Sequence, residues 1–378
     1  MPLDTTVMSS TPSLHIQRRP CGRTAAVAAH GMGSHATSTN HVIGLDLSCS
    51  WLREAIHCNN TLFLLLDLRW LSLAGNDFYG SQISPKFGTF TRMTHLDLSG
   101  SSFQGIIPLE MISPLSKLVK LSLSDNYDLT IDDDHSFRWL VHNLTQGNLC
   151  RLSSLALGGI NLSLDFEIFA RLKNLESLEL SQNLTLDNNL FQGPLPRSLE
   201  NCTSLAIFVV RLSGIHDTFP HWWLNATLNS LEYLDLQSNK FHGVINEIPL
   251  SPTLNYLILS NKQFFGQMLI NFFRDSSAEF IDIDNNNFDS PLPIPPPTIL
   301  FYSISSNMFS GDIPHQLCSA IRIEIINLSN NNLTSSVPHC FIKLTLSVLD
   351  LQENKLVSQI LKIFVRENNL RTIQLIQN

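Results

Sequence analysis

Leu68-Arg69-Trp70-Leu71-Ser72-Leu73-Ala74-Gly75-Asn76 reads L-x-x-L-x-L-x-x-N. The phrase returns at Leu118 to Asn126, Leu175 to Asn183, Leu231 to Asn239, Ile299 to Asn307, Ile323 to Asn331, Leu346 to Asn354 and Leu370 to Asn378, with Ile or Tyr in some Leu slots. With the second apolar position as a marker, the phase runs 45, 71, 96, 121, 155, 178, 208, 234, 257, 281, 302, 326, 349 and 373. The mean spacing is about 25 residues, inside the range in which one supersecondary unit repeats.

This period and consensus are those of leucine-rich repeats, an α/β solenoid in which each turn gives one short strand to a parallel concave sheet. Alternation in Leu71 and Leu73 sends apolar side chains inward, while Trp70, Ser72 and Ala74 face outward. The slot Asn turns the chain away, and its amide can satisfy backbone groups that the turn leaves unpaired. One turn cannot bury its apolar face alone, so the array must stack. Residues 42–378 are expected to form about fourteen repeats, with Ser72, Asp97, Glu179, Asp235 and Asp350 outward.

Composition narrows the function. The 378 residues are 43% hydrophobic and 15% charged, which excludes disorder throughout. A net charge of -8 without a basic stripe argues against nucleic-acid binding. No apolar run approaches the ~20 residues of a membrane span. Residues 1–41 do not repeat and read as a disordered segment, low in acid and carrying Arg18, Arg19 and Arg23, without the apolar stretch of a signal peptide.

Beyond the Asn, Phe103-Gln104-Gly105-Ile106-Ile107-Pro108 and Phe309-Ser310-Gly311-Asp312-Ile313-Pro314 share an F-x-G-x-I-P cadence, which Phe191 to Pro196 repeats with Leu for Ile. This resembles the plant extracellular subclass, and the resemblance implies a second short strand before a convex helical turn. Val42 to Leu52, Ile83 to Gly88, Asn201-Cys202-Thr203-Ser204-Leu205, Asp217 to Pro220 and Pro293 to Pro297 are similar to ectodomains of plant receptor-like proteins of the tomato Cf type. The resemblance covers residues 41–378. It implies perception of a peptide or protein ligand at the plasma membrane, without a kinase domain, through partner receptor kinases as co-receptors. The family's signal peptide, N-terminal cysteine cap, C-terminal cap and membrane helix have no counterpart here, so the chain reads as a truncated ectodomain ending inside the array. Its alternatives are a secreted inhibitor of a cell-wall hydrolase and a remnant of a receptor gene cluster.

No motif for catalysis is present: H-E-x-x-H, G-x-S-x-G, a P-loop and kinase H-R-D are all missing. No cofactor is expected and the chain does not read as an enzyme. Asp132-Asp133-Asp134-His135, in a long interval, could hold a cation but reads better as the start of a helix. The seven cysteines form no zinc pattern; Cys318 and Cys340, about one repeat apart, can pair or remain buried thiols, and Cys49 with Cys58 is a weaker pair. Candidate glycosylation sequons fall at Asn59, Asn143, Asn161, Asn201, Asn225 and Asn332. Two more, Asn183 and Asn327, lie on the strand segment, where a glycan would crowd the concave face.

The candidate site is the outward column just before each marker. Tyr233, Tyr256, Phe280 and Phe301 are consecutive in it and should form a ladder, flanked by Asp235, Gln237, Asp282 and Asp284. An aromatic stripe rimmed by acids suits peptide or protein capture; the competing reading is a cross-strand ladder that steadies the sheet.

Overall fold

The computed structural model describes residues 34–36, 41–131, 151–160, 166–181, 193–227, 229–245, 250–260, 263–334, 336–357 and 370–375. One fifteen-stranded sheet runs through them. From Val42–Asp46 to Thr372–Gln374 its strands are parallel, and each contains one of the fourteen marker positions. Register is constant: Leu71 lies opposite Leu96, Leu234 opposite Leu257, and Leu349 opposite Ile373.

Inward residues make one continuous core. Leu71, Leu96, Leu234 and Leu349 are fully buried, as the repeat phase requires. Burying each such side chain contributes about 2 to 3 kcal/mol. A line of phenylalanines runs through the turns after the strands: Phe78 stacks on Phe103, and Phe264, Phe288 and Phe309 stack in series.

The slot asparagines bind adjacent turns together. Asn126 Oδ1 accepts the backbone N–H groups of Ser101 and Phe103, at 3.2 and 3.0 Å. Its Nδ2 donates to the carbonyls of Leu98 and Leu123, at 2.9 and 2.8 Å. Asn76, Asn239, Asn286, Asn307, Asn331 and Asn354 also donate to two strand-end carbonyls each. Where Ser101 takes the slot, its hydroxyl reaches the Leu73 carbonyl at 2.7 Å instead. Each side chain thus satisfies backbone groups that would otherwise be buried unpaired.

The second strand implied by the F-x-G-x-I-P cadence is present. Gln104–Ile106 pairs with Asp128–Thr130, and Ser310–Gly311 with Asn332–Leu333. Gly105 and Gly311 sit at φ 83° and 79°, a conformation that L side chains rarely adopt. Short 3-10 helices such as Pro85–Thr89, capped by the Ser84 hydroxyl, then close the convex side.

The N-terminal edge differs from expectation. Ser34–Ala36, inside the segment read as disordered, pairs antiparallel with Val42–Asp46 and covers the edge of the sheet. At the other end, Ile373 is 38% exposed where its neighbour Leu349 is fully buried. The Asp132 to His135 insertion lies outside the described residues.

Candidate ligand-recognition face

Two outward columns line the concave face, one residue before and one after each marker. From Trp70 to Ser177 the first column reads Trp70, His95, Lys120, Ser154 and Ser177, and the second carries Ser72, Asp97, Ser122, Ala156 and Glu179. This half is mostly polar. Lys120 is exposed beside His95, whose pKa is lowered by burial and by that ammonium. The columns change character at Ile207–Val209.

There, Val209, Tyr233, Ile258 and Phe280 form an apolar cluster of their own, with Ile207, Tyr256 and Phe301 packed against it. It lies on the opposite face of the sheet from the core. Parallel register makes the ladder: Tyr233 pairs with Tyr256, Tyr256 with Phe280, and Phe280 with Phe301. Successive ring centroids are 5.2, 6.0 and 4.1 Å apart with interplanar angles of 29°, 28° and 4°. The rings form one continuous stack, close between Phe280 and Phe301 and offset between the others.

Availability is less uniform than the sequence suggested. Tyr233 and Phe280 are buried, at 4% and 6% exposure, while Tyr256 and Phe301 stay half-buried and within reach of a ligand. The phenol of Tyr233 is pushed up to about 12 by burial and by the Asp235 carboxylate. It supports the sheet more than it faces solvent.

The flanking acids are not a solvated rim. Asp235 and Asp282 are buried, at 0% and 1% exposure, on the strands that carry Tyr233 and Phe280. Arg211, which sequence reading missed, closes over Asp235: its Nε donates to the carboxylate at 2.5 Å and its terminal nitrogen faces the Tyr233 hydroxyl at 3.4 Å. Burial still raises Asp235 to about 6, with Arg211 pulling the other way. A signal was available. Arg211 stands three residues after its marker, one repeat before an acid that stands one after its own.

At Asp282 the same geometric slot holds Ser260, whose hydroxyl donates at 2.6 Å. Asp282 is raised by burial, and Asp284 by burial and by the neighbouring Asp282 carboxylate. Asp284 accepts the Ser303 hydroxyl and the Ser305 N–H, and Gln237 is half-buried with its N–H on Asp235 at 3.0 Å. These groups order the strand ends.

Of the remaining candidates, Cys318 and Cys340 form a disulfide with Cα atoms 5.9 Å apart. The Cys49–Cys58 pairing is wrong: Cys58 is a free, exposed thiol, while Cys49 is disulfide-bonded elsewhere. Cys202 is a buried thiol whose pKa burial raises to about 11. Asn59, Asn201 and Asn332 are exposed. Asn225 lies on the helix His221–Ala226. Asn143, Asn161 and Asn183 fall outside the described residues. Asn327 is half-buried on the concave face and accepts the Ser329 N–H and hydroxyl, as an outward Asp does in other turns. Among the described residues, no helix is long and apolar enough to cross a membrane.

Comparison with known proteins agrees with this architecture. The Leucine Rich Repeat family model matches residues 322–344. Receptor-like protein 9DC1 of Solanum pimpinellifolium is 44% identical over 126 residues, which are 33% of this chain and 14% of that protein. Receptor like protein 22 of Arabidopsis thaliana is 30% identical over 359 residues, with 75% of this chain and 44% of that protein covered. The chain therefore spans less than half the length of these relatives. Among solved structures, the Arabidopsis receptor kinase HAESA, in complex with the peptide hormone IDA and the co-receptor SERK1, superposes with a TM-score of 0.67 at 21% identity, over 91% of this chain and 67% of that one. The chain is a leucine-rich-repeat solenoid, and the proteins it is similar to in sequence are plant receptor-like proteins.

Proposed function

We propose that the chain is a non-catalytic recognition array that binds an extended peptide or protein segment across the concave strands from Ile207 to Asn327. The observation that carries this reading is the apolar cluster on the outer face of the sheet, separate from the core and edged by half-buried Tyr256 and Phe301. Ring edges, partly positive, suit aliphatic side chains and carbonyl oxygens. Sugars and cations need an open ring face, and in the ladder each ring stacks against the next, most closely Phe280 on Phe301. The ladder thus favours a peptide over a carbohydrate.

By likeness to the receptor-like proteins, the array acts at the outer face of the plasma membrane and passes its signal to a receptor kinase. HAESA, of the same fold, is seen with a peptide hormone and a co-receptor, which supports that division of labour. A second reading has its own observation: burial of Tyr233 and Phe280 suits a ladder that only steadies the sheet.

Tyr256 and Phe301 separate the two. Replacing both with Ser, and testing peptides selected from a display library for binding to the intact chain, should weaken binding at least tenfold with little change in melting. A marked loss of stability with binding intact would favour the structural ladder.

A further inference from the structure

Cys318 and Cys340 are joined in the disulfide, yet a third group stands beside them. His315, Cys318 and Cys340 each offer a ligand atom, and these atoms all lie within 4.8 Å of one another. The cause is local. His315 and Cys318 occupy one 3-10 helix, His315–Ser319, in which positions i and i+3 eclipse. Cys340 comes from the equivalent helix of the next turn, His339–Lys343. Tetrahedral zinc with Zn–S bonds of about 2.3 Å holds two sulfurs roughly 3.8 Å apart, so the bonded sulfurs must separate on reduction to take an ion between them. A Cα separation of 5.9 Å suits a disulfide and leaves the sulfurs near enough to share an ion.

We propose that these three side chains form a redox-gated site for a thiophilic divalent cation of the zinc class, closed as the disulfide and open to metal once reduced. A dithiol reductant supplies two electrons and two protons to the Cys318–Cys340 bond and is itself oxidised to a disulfide. The two thiols then lose their protons as the cation binds both sulfurs and the His315 imidazole, leaving a fourth position for water.

Bonds other than the disulfide also join the two turns. Strands Ile325–Asn327 and Val348–Asp350 stay paired in register, and the amides of Asn331 and Asn354 tie the turns on either side. Cys318 and Cys340 are half-buried and His315 is exposed, so reductant and ion both have access.

The test uses the full chain with Cys49→Ser and Cys58→Ser, which removes the other disulfide that the dithiol would open and the exposed free thiol. After reduction by excess dithiol, removal of the reductant under anaerobic conditions and a circular-dichroism check of the sheet, Co2+ is titrated as probe. The proposal expects one equivalent to bind, with the visible bands of tetrahedral cobalt and thiolate-to-cobalt charge transfer, displaced by Zn2+. The oxidised chain should show neither, His315→Ala should weaken binding at least about tenfold, and the Cys318→Ser/Cys340→Ser double variant should abolish it. His315→Ala keeps the disulfide and folds independently of the cysteine result. A reduced chain that unfolds, one that shows no such spectrum, or a double variant that still binds cobalt overturns the proposal.

Discussion

The strands from Trp70 to Ser177 and those from Ile207 to Asn327 share one sheet, one register and the same buried leucines, but their outward columns differ in kind. The first half shows water His95, Lys120, Ser154 and Ser177. The second stacks four aromatic rings and buries two carboxylates. Inward positions set the fold and are interchangeable between halves. Outward positions are free to diverge, which is where recognition can be written.

The most severe break of this contrast is at Arg211. Arg211→Ala leaves Asp235 charged and buried without its cation, and should destabilise the chain by about 3 to 5 kcal/mol in urea unfolding. Adding Asp235→Asn should recover part of the loss. A near-neutral Arg211→Ala would mean that Asp235 is already protonated at the pH of the assay.

Inward truncations should not respect the division. Leu96→Ala in the polar half and Leu234→Ala in the aromatic half remove equally buried side chains, and each should cost about 2 to 5 kcal/mol. A cost confined to one half would show that the turns do not share one core.

Acid should separate the halves. Burial raises Asp235, Asp282 and Asp284 above the unfolded carboxylate value, so the folded chain holds protons that the unfolded chain releases. Their contribution is fullest below about pH 4 and is lost as pH rises through the folded values, about 6 for Asp235. Melting temperature should therefore fall from pH 5 to pH 8, and Asp284→Asn should flatten the slope.

The strand centres, inward leucines and asparagine slots were legible because each depends only on a residue's place within its own repeat. What stayed hidden depends on neighbours in adjacent repeats. The ladder could be read from Tyr233 to Phe301, but not that Asp235 and Asp282 would be buried beside it, nor that Arg211 would close over one and Ser260 over the other. His315 escaped notice because spacing alone does not reveal a 3-10 turn that eclipses it with Cys318. The cap strand Ser34–Ala36 carries no repeat signature at all, so periodicity could not find it.

The smallest stability effect belongs to the reachable rings. Tyr256→Ser and Phe301→Ser should each cost only about 0.5 to 1.5 kcal/mol through lost stacking, measured by urea unfolding. A larger cost would move these rings to the structural side of the comparison.

The direct test of the recognition face is affinity measured side by side in the two halves. Peptides selected on the intact chain are titrated against Tyr256→Ser/Phe301→Ser and against Trp70→Ser/Lys120→Ser, with folding of each variant confirmed by circular dichroism. The account predicts at least a tenfold loss of affinity in the first and none in the second. Equal binding by the first variant, or a loss seen only in the second, would contradict it.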